Sequence, residues 1–374
     1  MLYEIHMLKN YPSTNLNRDD SGSPKTCMFG GVARGRISSQ CLKRSWRTSP
    51  IFRELVGEKN LGIRTRELPE MVANILRSHS VDEKDIQKCL PIITGIANKD
   101  GTENKKGNRT AQIVFYSPED VQVIAGIVEN FICSGEKKKF TGKDLQNAVK
   151  DAGVRPITLD IALFGRMVTS DAFRDVEASM QVAHGISTNK IVMESDYFTA
   201  MDDLLTGDIM ESKGSSMIGD IDYNSACYYL YASLDADALA ENLSFGDAPE
   251  ELVRKAVPAL IQTMAVTNPS GKQNSFAGHV LPCAVLVECK DQKIPVSYVN
   301  AYSEPAIADA SKGLVENSIE KLVEECNMIT RNFAVPVKKR LWFCVDKYNI
   351  EGPENTVVCQ NFGQLVDEVA KTLK

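Results

Sequence analysis

The feature that most constrains this chain is a long segment that carries only positive charge. Residues 21–53 contain no aspartate or glutamate, although the whole protein of 374 residues has a net charge of −6. The segment holds seven cations, which are Lys25, Arg34, Arg36, Lys43, Arg44, Arg47 and Arg53. One concentrated basic segment in an acidic protein is typical of a groove that binds a polyanion. A solvated basic face is the alternative, and the interleaved glycines and hydroxyls favour the groove.

The middle of this segment joins a glycine-rich stretch to the start of a helix. The glycines within residues 30–35 allow the backbone to approach a ligand closely. Ser38 or Ser39 is expected to cap a helix that runs to about Ser49, where Pro50 stops it. Free N–H groups and the positive end of the helix dipole favour phosphate at such a start.

The predicted helix has two different faces. Lys43, Arg44 and Arg47 are three and four residues apart, so they fall on one side. Leu42 and Trp46 form the opposite, buried stripe. Side-chain donors at the helix start are Ser38, Ser39 and Gln40. The pattern predicts a helix that is anchored in the core and presents cations to phosphates, each neutralised phosphate adding roughly one unit to the salt dependence of binding.

A second loop is a weaker candidate for a phosphate contact. The nucleotide-binding pattern Gly-x-x-x-x-Gly-Lys-Ser/Thr is absent, and residues 270–273 match only part of its end. Lys272 and Gln273 either add a phosphate contact or belong to a plain turn.

Periodicity along the chain predicts an α+β protein. Residues 2–9 alternate and predict a half-buried first strand, followed by a structureless loop over residues 10–35. Further strands are predicted over residues 157–164, 221–233, 281–288 and 341–345. Helices are predicted over residues 67–77, 82–90, 172–184, 249–266 and 310–327, with a further helix starting at Ser117-Pro118. Residues 187–219 are predicted to form a protruding loop or hairpin.

No cofactor, metal or disulfide is predicted. The ten cysteines are scattered without a Cys-x-x-Cys pair, and the four histidines show no metal spacing. A reducing cytoplasm is the favoured location. The N-terminal residues lack signal-peptide features. No apolar run approaches the roughly 20 residues of a membrane span.

Several blocks of sequence follow one another in an order that matches a known family. They are Asn10-Tyr11-Pro12, residues 15–20, Pro24-Lys25-Thr26, Phe29-Gly30-Gly31, residues 36–44, 160–167, 181–188, 196–204 and 269–273, and Ser275-Phe276-Ala277. This succession resembles the Cas-seven, or CasC, family, which supplies the guide-RNA-binding backbone subunit of the type I-E CRISPR Cascade complex. Beyond about residue 280 the match is loose.

The resemblance implies a hand-like subunit with a ferredoxin-like, RNA-recognition-motif-like palm. It divides the chain into a first palm part with the RNA-binding loop and helix (1–56), helical fingers (57–155), a second palm part (156–188), an extended thumb hairpin (189–220) and the remaining palm (221–374). Copies stack head to tail along the crRNA, kink it at regular intervals and leave bases exposed for target DNA. Implied partners are other copies of the chain and the large, small, five-prime-handle-binding and guide-processing Cascade subunits.

The resemblance also implies individual roles. Ser38, Gln40, Lys43 and Arg44 would hold the RNA backbone, and Met167, after Arg166, would lie by the kink. The thumb residues Tyr197, Phe198 and Thr199 would wedge against the displaced nucleotide, where Tyr197 offers a smaller stacking face than the tryptophan of relatives. For Met167 the alternative is core packing, and for the thumb aromatics it is an anchor of the loop. The full set of predicted RNA contacts is Arg18, Lys25, Arg34, Arg36, Ser38, Ser39, Gln40, Lys43, Arg44, Arg47, Arg166, Met167, Tyr197, Phe198, Thr199, Lys272 and Gln273.

An enzymatic role is the alternative to a scaffold. Asp19 and Asp20 lie beside Arg18 in the predicted RNA loop, where two carboxylates can hold a magnesium ion near a phosphate. Backbone subunits of other CRISPR types cut bound RNA with a loop aspartate. Capping of the loop, or pairing with Arg18 or a neighbouring subunit, is the structural interpretation and the favoured one. His184 is likewise expected to be a hydrogen-bonded structural residue, so the prediction is a non-catalytic RNA scaffold.

Overall fold

The structure, a computed structural model, describes residues 1–104, 107–134, 140–200 and 217–373. Its strands are β1 (Leu2–Thr14), β2 (Thr26–Phe29), β3 (Val32–Ile37), β4 (Ile63–Thr65), β5 (Val114–Tyr116), β6 (Met180–Val182), β7 (Gly185–Ser187), β8 (Glu194–Ala200), β9 (Met217–Asp235), β10 (Ala284–Lys290), β11 (Lys339–Cys344) and β12 (Thr356–Val358). Its helices are α1 (Ser39–Arg47), α2 (Pro50–Val56), α3 (Leu68–Ser78), α4 (Glu83–Thr94), α5 (Pro118–Ser134), α6 (Gly142–Asp151), α7 (Leu159–Phe164), α8 (Ala236–Asn242), α9 (Pro249–Val266), α10 (Gln273–Phe276), α11 (Leu314–Phe333) and α12 (Phe362–Lys371). The predicted α+β class is confirmed.

The chain forms two compact units, which are described separately. The sheet unit consists of Met1–Ser49, Val182–Ser233 and Pro258–Lys374. The helical unit consists of Pro50–Gln181 and Leu234–Val257.

The sheet unit is built around β1. Its strand order is β12-β11-β10-β1-β9-β7-β3-β2. Neighbours β1 and β10 are antiparallel, with Ile5 opposite Val287, whereas β11 and β12 are parallel. Residues 2–9 of β1 are all buried, polar ones included. The half-buried first strand of the sequence analysis is therefore wrong, because both faces of this sheet are covered.

Different helices pack on the two faces of the sheet, α11 on one and the end of α12 on the other. On one face Leu286 and Trp342 pack in a cluster with Ile319 and Leu322 of α11. On the other, the Tyr3 hydroxyl lies 2.9 Å from Thr372 Oγ1, next to the end of α12. The α11 residues recur at helical spacing, which is why the predicted amphipathic helix is found there.

The helical unit has its core among α3, α4, α5 and α6. Leu76, Ile93, Ile124 and Leu145 are buried in one cluster, one from each of these helices. The predicted start of α5 is confirmed, because Ser117 Oγ accepts from the backbone N–H of Asp120. The helical content predicted for this part of the chain is therefore present.

The predicted structureless loop over residues 10–35 is wrong. β1 continues to Thr14, and β2 and β3 form a hairpin in which Phe29 pairs with Val32. The two residues between them, Gly30 and Gly31, have φ of +60° and +77°, a backbone that favours glycine. A Gly-Gly pair between two short apolar runs is a hairpin signal, and the loop prediction overlooked it.

Two further elements differ from prediction. The strand predicted over residues 157–164 is the short helix α7 after Thr158, since periodicity does not distinguish a brief buried strand from a brief buried helix. The helix predicted over residues 172–184 is irregular chain followed by β6. Its apolar residues are buried at helical spacing, yet Val176 exchanges backbone hydrogen bonds with Arg166, which holds the segment extended.

Of the protruding loop or hairpin predicted within residues 187–219, the hairpin is confirmed for its described part. β8 pairs with the first part of β9 in antiparallel register, with Asp196 opposite Ile221. Residues 201–216 of that prediction lie outside the described residues.

All ten cysteines are free thiols in the structure. None of the described helices combines the length and apolar character that a bilayer crossing requires.

Candidate nucleic-acid interface

Helix α1 starts as the sequence predicts. Ser38 is its N-cap, and its Oγ accepts from the backbone N–H of Cys41 at 3.3 Å. The backbone N–H of Ser38 itself donates to Asn17 Oδ1 at 2.8 Å. Ser38 and Ser39 are buried, whereas Gln40 is exposed. The helix ends at Arg47, and Pro50 begins α2 rather than stopping α1.

The two faces of α1 are as predicted. Leu42 and Trp46 are buried. Arg44 is exposed and Lys43 is partly exposed, and no described carboxylate lies within ion-pair distance of either. Arg47 is half-buried at the end of the helix. The core therefore fixes one side of α1 and leaves two cations on the other.

The loop that precedes β2 lies against the start of α1 and is closed by its own side chains. Asp19 Oδ1 accepts from the hydroxyl and backbone N–H of Ser21 and from the backbone N–H of Ser23, at 2.7–3.1 Å. These bonds, the Ser21 hydroxyl first, lower the pKa of Asp19. Arg18 and Asp20 are exposed on the same loop. The capping role that the sequence analysis favoured for Asp19 is therefore present in the structure.

The β2–β3 hairpin brings further cations to α1. Arg36 donates from Nε to the carbonyl of Thr26 and from Nη1 to His184 Nδ1. Burial raises the pKa of the Cys41 thiol, and Ser45, Lys25 and Arg44 act in the opposite direction. Lys25 on the loop and Arg44 on the helix are thus both close to the same thiol. Together Lys25, Arg36, Lys43 and Arg44 are called the basic surface below.

Arg34 is not placed for the RNA contact that the sequence predicts for it. Its side chain is fully buried, at 0% exposure. The guanidinium donates to four carbonyl oxygens, those of Phe29, Ser187, Thr188 and Tyr302. Because its donors are used within the protein, this arginine holds the hairpin to its neighbours and is not placed to contact RNA.

The loop that contains Lys272 lies next to the loop before β2. A Cβ on Gly271 would be 2.3 Å from the carbonyl oxygen of Leu16, so only glycine permits this approach. Lys272 is half-buried with a positive φ of 50°, and Gln273 Nε2 donates to the carbonyl of Pro269. Thr267 Oγ1 lies 2.9 Å from Ser49 Oγ, just beyond α1. Three predicted RNA-binding segments therefore meet in one region of the sheet unit.

The thumb hairpin, defined as β8 with residues 217–223 of β9, is joined to this region at its base. Asp222 Oδ2 accepts from Ser23 Oγ at 2.6 Å, and Asp222 Oδ1 accepts from Ser195 Oγ. The ring of Tyr223 lies 5.7 Å from that of Phe276, the last residue of α10.

The aromatic residues of the thumb do not act as one wedge. Tyr197 and Phe198 are adjacent on a strand, so their side chains point to opposite faces of the hairpin. Tyr197 is 65% exposed. Phe198 is half-buried, and a Cβ on Gly219 across the hairpin would lie 2.7 Å from its ring. Thr199 is exposed on the Tyr197 side, so that face offers a free ring and the other anchors the hairpin.

Arg166 and Met167 belong to the helical unit and have opposite environments. Arg166 is buried and donates from Nη1 to Asp120 Oδ2 at 2.7 Å. Its predicted RNA contact is therefore not supported by its position. Met167 is 92% exposed, so core packing, the alternative for this methionine, is excluded.

Metal ligands do not gather in the residues that the structure describes. Among them there is no group of three or more His, Cys, Asp or Glu side chains that could hold an ion.

The sequence matches the family model of CT1975-like proteins over residues 3–369. The chain belongs to this Cas7-like family. Among curated proteins, none has a significantly similar sequence.

Two solved structures share the fold over the full length of both chains. A chain described as "CRISPR RNA-guided surveillance complex, pre-nicking" aligns over 100% of each chain with a TM-score of 0.84 and 23% identity. A chain described as "CRISPR RNA-guided surveillance complex" also aligns over 100% of each, with a TM-score of 0.73 and 21% identity.

One residue of the region was missed by sequence reasoning: Asn17 ties the loop to α1 through Ser38. His184 is hydrogen-bonded as expected, and its partner is Arg36. A side-chain bond between residues 21 positions apart leaves no periodic pattern. His184 is not in the helix expected for it but immediately precedes β7.

Proposed function

We propose that the chain is a backbone subunit of a CRISPR type I-E surveillance complex that holds crRNA by its sugar-phosphate backbone. One observation carries the proposal: α1 is fixed in the core by Leu42 and Trp46 and presents Lys43 and Arg44 without a described carboxylate partner. Lys25 and Arg36 add charge beside them. Cations aimed at phosphate bind without reading sequence, which suits a protein that must accept any guide.

Membership of the Cas7-like family supports this function, as does a fold shared with chains of RNA-guided surveillance complexes. In the proposal the sheet unit provides an RNA-recognition-motif-like palm, and copies stack head to tail along the crRNA with other Cascade subunits at the ends and side. The exposed Tyr197 and Met167 are sequence-tolerant surfaces against which nucleotides at a kink pack. Bases between kinks remain available for target DNA.

The test is a double substitution, Lys43→Ala with Arg44→Ala, in the full chain. Binding to two single-stranded RNAs of unrelated sequence is measured over a range of salt concentrations. Removing two phosphate contacts should weaken both RNAs equally and lower the salt slope by about 1.4, at about 0.7 per contact for single strands.

A matched control removes the same charge elsewhere in the sheet unit. Arg331 and Lys338 are exposed and paired with Glu354 and Asp291. Replacing both with Ala should change RNA binding little. If the two double variants behave alike, or if the loss depends strongly on RNA sequence, backbone recognition by α1 is refuted.

We further propose that the subunit is not a nuclease. Asp19 Oδ1 is occupied by three donors from its own loop, which disfavours its use as a metal ligand. The assembled complex is incubated with labelled complementary RNA and magnesium. Cleavage that is lost in Asp20→Ala would refute the scaffold function and support the alternative, an RNA-cleaving subunit.

A further inference from the structure

His184 makes one hydrogen bond to the described residues, and that bond determines which ring nitrogen carries the proton in the neutral form. Arg36 Nη1 lies 3.1 Å from His184 Nδ1. A guanidinium has only donors, so Nδ1 must accept. In the neutral ring the proton is then on Nε2, which has no hydrogen-bond partner among the described residues. The free nitrogen of His184 is therefore a donor.

The surroundings of His184 are cationic. Gly185, the next residue, pairs with Ile37 on β3, which puts His184 at the end of β3 that leads into Ser38 and α1. Burial lowers the pKa of His184, and Arg36 and Lys25 lower it further. The Cys27 thiol on β2 lies near Arg36 and is kept neutral by its raised pKa. The charged groups that act on the ring are thus both positive.

We propose that His184 is a further phosphate-contacting residue, which donates from Nε2 to the RNA that also binds Lys25 and Arg36. The inference rests on the proposed function and adds to it a residue whose contribution depends on pH. A phosphate placed among these three groups offsets the cations that disfavour a charged ring. The RNA-bound protein therefore takes up a proton on His184 at a pH where the free protein does not.

The sign of the pH effect follows by linkage. Because the bound state holds the extra proton more tightly than the free state, RNA affinity rises as the pH falls through the interval in between. Protonation turns Nδ1 into a donor, so in the RNA-bound protein Arg36 Nη1 exchanges this acceptor for a phosphate oxygen. In a histidine that only supports Arg36, protonation removes the acceptor without a replacement, so RNA affinity falls rather than rises as the pH falls.

Three substitutions separate the two roles. His184→Gln keeps an N–H near the position of Nε2. His184→Asn keeps an acceptor for Arg36 near Nδ1 but loses the distant donor, and His184→Phe loses both. Binding of the full chain to a fluorescent single-stranded RNA is measured between about pH 5 and pH 8 at constant salt. Thermal melting of each variant checks the fold.

The expected result at neutral pH is that the Gln variant binds nearly as the natural chain does. The Asn and Phe variants should bind about tenfold to a hundredfold more weakly, the effect of one hydrogen bond to a charged acceptor. All three should lose the rise in affinity at acidic pH. An Asn variant that binds like the natural chain, or variants whose pH profiles parallel its own, would overturn the inference.

The Lys43→Ala, Arg44→Ala double variant is measured beside them. If that variant weakens binding and the His184 variants do not, the inference about His184 is wrong and the proposed function stands. If the natural chain does not bind RNA, or the double variant has no effect, both are wrong.

Discussion

Two regions of the sheet unit differ in whether their charged side chains have partners of opposite charge. One is a buried ion cluster formed by Glu4, Glu288, Lys290 and Arg340. The other is the basic surface of Lys25, Arg36, Lys43 and Arg44. Each charge of the cluster has a partner of opposite sign, whereas the basic surface comes from a segment without a single acid.

The cluster places two carboxylates directly across from each other. Glu4 on β1 is opposite Glu288 on β10, a pairing that is unfavourable by itself. Lys290 contacts both carboxylates, and Arg340 Nε donates to Glu288 Oε1 at 2.6 Å. Tyr298 donates a further bond to Glu288. Charge that is matched in this way holds strands together and has nothing left for a ligand.

The basic surface shows the converse. Its cations lie at the edge of the sheet and on α1, where Arg44 is exposed, the other three are partly exposed, and none is matched by a described carboxylate. Cations that reach solvent without a carboxylate partner contribute little to folding, so their presence is not explained by stability. The comparison separates charges that are paired inside the fold from unpaired ones that are available to a ligand, which the proposed function takes to be RNA.

The largest expected effect comes from breaking the matched region. Glu288→Ala leaves Lys290 and Arg340 buried with one carboxylate fewer, which should lower the free energy of unfolding by about 3–5 kcal/mol. Urea denaturation measures the change. Glu320→Ala, which removes a partly exposed pair with Lys312, serves as control and should cost less than about 1 kcal/mol. Equal losses in the two variants would show that the cluster is not a source of stability.

A smaller effect on stability should distinguish Arg34 from Arg36, the two arginines of β3. Arg34→Met leaves four carbonyls without their donor, which should cost at least about 2 kcal/mol of unfolding free energy. Arg36→Met should change stability by less than about 1 kcal/mol but weaken RNA binding. Denaturation and RNA titration of both variants check the assignment. The reverse ranking would place Arg34 in the interface and Arg36 in the framework.

These two arginines also show what the sequence could and could not predict. The faces of α1 were predicted correctly, because a helix fixes which residues share a side over a few positions. Arg34 and Arg36 are both cations on one strand, and nothing local distinguishes them. Three of the four carbonyls that bind Arg34 come from residues 187, 188 and 302, whose approach depends on the assembled sheet.

Dependence on tertiary packing explains only some of the other differences between prediction and structure. The Gly30-Gly31 turn was predictable from its residues, yet the long polar stretch around it favoured a loop. Residues 157–164 are mostly apolar, so tertiary packing decided between strand and helix. Adjacent Tyr197 and Phe198 were predicted to act together, and the alternation of a strand separates them.

Lys9 shares one property with each of the two regions: it is buried, as the ion cluster is, and it lacks a described carboxylate partner, as the basic surface does. It is as buried as Lys290, yet no described carboxylate lies within ion-pair distance. Its ammonium donates to the carbonyl of Thr267 and to Asn268 Oδ1, at 3.1 Å and 3.3 Å, beside the loop that contains Lys272. Burial lowers the pKa of Lys9 to about 7.

Stability should therefore depend on pH through this one side chain. In the unfolded chain the lysine keeps a pKa near its ordinary value of 10.5. Between about pH 7 and the ordinary pKa the unfolded state binds more protons, so the free energy of unfolding rises with pH, by at most about 1.4 kcal/mol per unit. Below that interval both states are protonated, and the cost of burying the charge is fully present. Lys9→Met removes the titrating group, so in denaturation of both proteins from neutral to mildly alkaline pH the free energy of unfolding should rise more steeply with pH in the natural chain than in the variant. Parallel profiles would mean that the Lys9 ammonium is compensated in solution and does not carry the cost of an unmatched buried charge.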